Sequence, residues 1–199
     1  MNIAIVKYNA GNTQSVEFAL NRIGVKPVIT DDPKILGSAD KVIFPGVGEA
    51  STTMAYLKKH KLDELIRSLK QPVLGICLGQ QLMCSHSEEG DVECLGIFDE
   101  KVRRFRPEPA QEYITKVPHM GWNSIHDVNS AIMSPDIEGK FVYFVHSYYV
   151  EVGEHTAATC NYINPFSAAL HRDNFYATQF HPEKSQKVGE RILENFINL

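Results

Sequence analysis

The chain is short of several things at once. Its 199 residues include four cysteines and one tryptophan. The cysteines, Cys77, Cys84, Cys94 and Cys160, form no Cys-x-x-Cys pair, which argues against both a zinc site and a disulfide framework. Positive charge is not in excess either: 20 Lys and Arg face 24 Asp and Glu, interspersed, for a net charge of −4. Without a basic stripe, a nucleic-acid partner is not expected. No apolar run approaches the length of a membrane span, and "MNIAIVKYNA" has neither the basic leader nor the apolar length of a signal peptide. The expectation is a cytoplasmic protein with no membrane partner, no metal and no cofactor.

What is present is ordinary globular material, 43% hydrophobic and 22% charged, at a length suited to one domain with a substantial core. Asn2 to Val6 reads as a compact apolar strand. Val16, Ala19, Leu20 and Ile23 then fall at i, i+3, i+4 and i+7 on one helical face, and Gly24 stops the helix. "PVIT", "KVIF" and "PVLGI" read as further strands, with helix predicted across "STTMAYLKKHKLDELIRSL". This alternation predicts an α/β fold whose mostly parallel sheet carries helices on both faces. The C-terminal half differs. "KFVYFVHSYYVEV", "TAATCNY", "FSAALHRD" and "NFYATQFH" read as closely spaced strands, as in hairpins added to one side of a sheet. A last helix carries Val188, Ile192 and Phe196. No repeat, low-complexity tract or linker interrupts the chain, so a single domain over 1–199 is expected.

The chemistry begins at "VLGICLGQQ". A nucleophile on a sharp strand-to-helix turn adopts strained dihedrals, and side chains two residues either side of it would collide with the strand or the incoming helix. Gly75-Ile76-Cys77-Leu78-Gly79 has that arrangement. The helix start favours a thiolate and puts the Leu78 N–H beside the sulfur, where it can hold an oxyanion. The plainer alternative is a buried structural thiol, with glycines that serve only close packing.

A thiol nucleophile needs a base, and the base needs an orienting group. "TQFHPEK" supplies both. Pro182 biases His181 toward extended backbone, and residues i and i+2 of such a backbone project to the same side, so Glu183 can reach the His181 ring. His60, His86, His126, His155 and His171 lack comparable surroundings.

Together, "GICLGQQ", the distant "HPE" and Pro45-Gly46-Val47-Gly48 resemble the class I glutamine amidotransferases. "YNAGNTQSV", "PHMGWN" and "VYFVHSYYV" make the chain similar to the glutaminase subunits of imidazole glycerol phosphate synthases within that family. The resemblance implies a three-layer, flavodoxin-like fold and no cofactor. It also implies hydrolysis of glutamine to glutamate and ammonia, with Cys77 as nucleophile, His181 as base and then acid, and Glu183 as orienter. By the same mapping Val47 and Leu78 would supply oxyanion N–H groups, with Gly46 and Gly48 allowing the peptide to turn. Gly48, Gln81, Glu89 and the Ser147 and Tyr148 backbone would hold glutamine. Asn12, His119, Met120, Trp122 and Lys184 would face a synthase (cyclase) subunit, a (β/α)8 barrel that forms a heterodimer with the glutaminase and consumes its ammonia.

Three other readings compete. The loop "YNAGNTQSV" also resembles one with which flavodoxins cradle a flavin phosphate, which would make the chain an FMN-binding module. A freestanding cysteine hydrolase would share the triad and need no partner. A glutaminase serving another synthase, such as pyridoxal phosphate synthase, would share the family but not "PGVG" with "PHMGWN".

Overall fold

The computed structural model describes residues 1–9, 11–108 and 115–199. Its centre is a seven-stranded sheet. The first four strands are β1 (Ile3–Val6), β2 (Val28–Thr30), β3 (Lys41–Gly46) and β4 (Val73–Cys77). Between them run α1 (Thr13–Arg22), α2 (Pro33–Ser38), α3 (Ala50–Lys59) and α4 (Leu62–Ser68), and α5 (Leu78–Met83) follows β4 directly. The short strands β5 (His86–Ser87), β6 (Val92–Glu93) and β7 (Lys101–Arg104) come next, then β8 (His119–Ser124), β9 (Phe141–His146) and β10 (Tyr148–Val150). The chain closes with β11 (Thr156–Asn161), β12 (Pro165–Arg172), β13 (Phe175–Thr178) and α6 (Gln186–Ile197).

The large sheet has the order β11-β12-β13-β4-β3-β1-β2. The strands from β13 to β2 pair in parallel, while β11 and β12 add antiparallel pairings at one edge. This is the predicted mixture of a parallel core with antiparallel additions in the C-terminal half.

Strand alternation divides the core in two. Ile3, Ile5, Ile43, Leu74 and Ile76 face a cluster that includes Val16 and Leu20 of α1 and Ile192 and Phe196 of α6. Ala4, Val6, Val42, Phe44 and Val73 face the other, with Met54 and Leu57 of α3, Ile66 of α4 and Leu82 of α5. A strand buried on both faces reads as an unbroken apolar run, as β1, β3 and β4 do.

Two expectations need correction. "KFVYFVHSYYVEV" is not one strand: β9 pairs with β8 in a separate two-stranded sheet, whereas β10 pairs with β7 in a four-stranded one. The break falls at Ser147, where the chain crosses from one sheet to the other. Helix α2 was not anticipated; its first turn is set by Asp32, whose Oδ1 accepts from the Lys34 N–H at 2.8 Å, and by Pro33.

Candidate active site

The turn from β4 into α5 places Cys77 at φ +53°, ψ −107°, backbone that a non-glycine residue adopts only when its surroundings force it. The surroundings do so by close approach. A Cβ on Gly79 would sit 2.0 Å from the Phe44 carbonyl oxygen, one on Gly46 2.6 Å from the Gly79 nitrogen, and one on Gly75 2.9 Å from the Met83 sulfur. The glycines thus serve packing, and that packing holds the cysteine in its strained turn. The two interpretations of "GICLG" describe one arrangement.

His181 follows β13, which lies beside β4 in parallel register, so the sheet itself brings two segments a hundred residues apart to the same edge. His181 is extended (φ −97°, ψ 96°), and Pro182–Lys184 then form a short 3-10 turn. Within that turn Glu183 Oε1 lies 2.7 Å from His181 Nδ1. The predicted contact is therefore made, through a tighter turn than the fully extended segment the spacing suggested. Both residues are buried, and His181 Nε2 has no hydrogen-bond partner among the described residues. Burial disfavours the imidazolium, but the adjacent Cys77 and Glu183 outweigh it and push the His181 pKa up to about 10. The charged form of the ring is thereby favoured beside Cys77.

Cys77 and His181 line a cavity of about 320 Å³ together with Val47, Gly48, Leu78, Gln81, Glu89, Ser147 and Tyr148. Seven positions predicted for oxyanion and substrate therefore lie at one place with Cys77 and His181. Gly46 lies just beneath, paired with Cys77 across β3 and β4. Gln81 donates from Nε2 to the Tyr148 carbonyl and to Gln179 Oε1, both at 2.9 Å. Glu89 Oε2 accepts from the Ala50 N–H at 2.9 Å. Burial first, and nearby Glu49 in addition, raise the Glu89 carboxyl pKa against that hydrogen bond.

The residues predicted to face a partner divide. Met120 and Trp122 are 67% and 46% exposed, so the single tryptophan is not a core residue. Lys184 is exposed too, with Nζ 6.0 Å from the Tyr143 ring centroid. Asn12 caps α1, its Oδ1 accepting from the Ser15 N–H. His119 departs from expectation: its side chain turns inward and is buried, because alternation along β8 sends it opposite to Met120 and Trp122.

Three residues in the site escaped the sequence reading. Gln179, inside "TQFHPEK", donates from Nε2 to the Cys77 sulfur at 3.7 Å. Tyr8, inside the loop after β1, donates its buried hydroxyl to the Pro45 carbonyl, just ahead of Gly46. His146 lines the cavity and is almost wholly buried. For His146 the signal was its place at the end of the alternating "FVYFVH"; for the other two no local pattern announced a partner 37 or 102 residues away.

Comparison with known proteins shows the family. The family described as glutamine amidotransferase class-I matches residues 5–199. The imidazole glycerol phosphate synthase subunit HisH of Bacteroides thetaiotaomicron is 65% identical over 199 residues, covering all of both chains. That of Escherichia coli is 42% identical over 201 residues, again covering all of both. A solved glutamine amidotransferase structure superposes with a TM-score of 0.73 at 16% identity, covering 98% of this chain and 97% of the other. A flavodoxin-like electron carrier is thereby set aside, and the chain belongs to the class I glutamine amidotransferases, in the branch of the imidazole glycerol phosphate synthase subunit HisH.

Proposed function

We propose that the whole chain is one glutaminase domain that releases ammonia from glutamine for a second subunit of an imidazole glycerol phosphate synthase. One observation carries this reading: a strained cysteine and a histidine line a single cavity of a size to hold an amino acid, and the histidine is backed by a buried carboxylate, Glu183. The Cys77 thiolate attacks the carboxamide carbon, and the oxyanion is held by the N–H groups of Leu78 and Val47. His181 gives its proton to the departing ammonia, then takes one from the water that cleaves the γ-glutamyl thioester. Glu183 keeps the His181 ring in the tautomer and orientation this requires. Glu89, which lines the cavity, receives the ammonium group of the substrate, and the Ser147 and Tyr148 backbone, on the same cavity wall, helps to hold the substrate.

Ammonia is useful only if captured, so the cavity must open toward an acceptor. The exposed Met120, Trp122 and Lys184 form the face on which a synthase subunit, a (β/α)8 barrel, docks to make a heterodimer. Val47, 40% exposed beside this opening, is the oxyanion group such docking can reach, so the isolated chain is expected to hydrolyse glutamine slowly. A cytoplasmic location belongs to the same reading.

The test is Cys77→Ser in the complex with the synthase subunit. Glutamine-dependent synthesis should vanish while ammonia-dependent synthesis continues at its normal rate. Loss of both would make Cys77 structural, and full activity without the second subunit would favour a freestanding hydrolase.

A further inference from the structure

Strand β8 has two faces that do different things. Met120 and Trp122 lie open on one. On the other, His119 is stacked between Phe144 and Tyr162, with ring centroids 4.9 and 4.0 Å away and interplanar angles of 23° and 17°. His146 stands directly across from it in the β8–β9 pairing. His119 Nδ1 is 3.0 Å from His146 Nε2, and His146 Nδ1 is 2.7 Å from the Tyr148 carbonyl oxygen.

Proton accounting gives this chain one direction. A carbonyl only accepts, so His146 Nδ1 carries the proton and its Nε2 is an acceptor. His119 Nδ1 must then donate, which leaves His119 Nε2 to accept from Asn123 Nδ2, 3.4 Å away. The same Tyr148 carbonyl accepts from Gln81, which also donates to Gln179, which in turn donates to the Cys77 sulfur. A continuous polar path thus joins the inner face of β8 to the nucleophile. Burial keeps both imidazoles neutral, lowering the pKa of His119 to about 4 and of His146 to about 3.

The bond from His146 to Tyr148 spans the crossing at Ser147, where the chain leaves one sheet for another. Few backbone bonds define such a crossing, and the ring closes it from the side. We propose that His119 and His146 are positioning residues: a one-way hydrogen-bond relay that sets the Ser147–Tyr148 wall of the cavity and ties it to the strand whose opposite face receives the synthase subunit. This rests on the function proposed above for that cavity and goes beyond it, because neither ring touches glutamine's reacting atoms.

The experiment is glutamine kinetics in the assembled complex. His146→Phe removes the donor to Tyr148 and should raise KM for glutamine about tenfold, the worth of roughly one buried hydrogen bond. Ammonia-dependent synthesis should be unchanged. His146→Asn places an amide N–H near the Nδ1 position and should recover most of the loss. His119→Phe should raise KM less, and adding it to His146→Phe should cost nothing further, since its acceptor is already gone. A normal KM in His146→Phe, an Asn variant as impaired as the Phe variant, or fully additive losses would each overturn the relay. Should His146→Phe not assemble, His146→Gln, which offers no donor at the Nδ1 position, is read in its place for KM and for the comparison with His146→Asn; its amide oxygen can still accept from His119, so the double variant is then not read. Retained glutamine turnover in Cys77→Ser would instead refute the proposed function, so the two failures are distinguishable.

Discussion

Gly79 lies so close beneath Phe44 that a Cβ added to it would stand 2.0 Å from the Phe44 carbonyl oxygen. The contact joins the first turn of α5 to β3 and thereby fixes how sharply the chain bends at Cys77. Since the colliding atom is backbone in the middle of a buried sheet, it cannot swing away. Gly79→Ala is expected to cost about 3 kcal/mol or more, lowering the melting temperature by on the order of 10 °C in a chain of this size. Calorimetry checks this; an unchanged melting temperature would mean that helix and strand separate freely.

Tyr8 holds the Pro45 carbonyl from the opposite side of the same strand. Removing its hydroxyl leaves that carbonyl with one partner fewer and frees the peptide leading into Gly46 and Val47. Tyr8→Phe is expected to lower kcat for glutamine in the complex by about tenfold, the scale of one net hydrogen bond at a buried site, with little change in KM. A defect confined to KM would place Tyr8's effect on substrate binding instead.

The His181–Glu183 pair predicts a ranking. His181→Ala removes the base itself, whereas Glu183→Gln leaves the base and an acceptor for its Nδ1 proton but takes away the charge. In comparable triads the orienting carboxylate matters less than the base by roughly ten- to a hundredfold. Single-turnover glutaminase rates should show that order, and equal defects would weaken the triad.

Stability should fall in mild acid, and the sign follows from the buried histidines. His146 stays neutral in the fold, with its pKa lowered to about 3 mainly by burial and further by the neighbouring His119 and His181. In the unfolded chain it titrates near 6.5, so the unfolded state binds more protons below that pH and stability drops as pH falls from about 6.5. At pH 5 the cost from His146 alone is about 2 kcal/mol. His181 works oppositely: its raised pKa stabilises fully below 6.5 and is lost only as pH climbs toward 10, so it does not mask the acid slope. Denaturant melts at pH 7.5 and 5.0 read the effect. His146→Asn, which cannot titrate there, should remove about half of the histidine slope, leaving the part due to His119, whose pKa burial lowers to about 4, and the contribution of carboxylates such as Glu89 unaltered.

Trp122 presents a large aromatic surface, 46% exposed, with Tyr143 edge-on to it at 6.0 Å. If this face receives the synthase subunit, Trp122→Ala should weaken the heterodimer by about thirtyfold, the loss typical of an aromatic anchor, without altering the melting temperature of the isolated chain. Titration calorimetry measures it; unchanged affinity would move the interface elsewhere.

Much of this protein was legible residue by residue. The apolar runs of β1, β3 and β4 announced a sheet covered on both faces, and the helical spacing from Val16 to Leu20 announced a helix that covers it. "GICLG" and "HPE" could be read because the constraints behind them are local: close approach demands glycine at fixed offsets, and a histidine reaches a carboxylate two residues on. What the sequence could not carry was anything set by partners far along the chain. That β13 lies beside β4, bringing His181 to Cys77, is a matter of pairing, as is the split of one apolar run into β9 and β10 at Ser147. The inward turn of His119, and with it its contact with His146, depends on which face of β8 meets the core, and Tyr8 and Gln179 found their places only through hydrogen bonds to distant segments. Local sterics and spacing act within a few residues and so leave a mark in the sequence; register and long-range polar pairing are decided only when the folded chain brings its segments together.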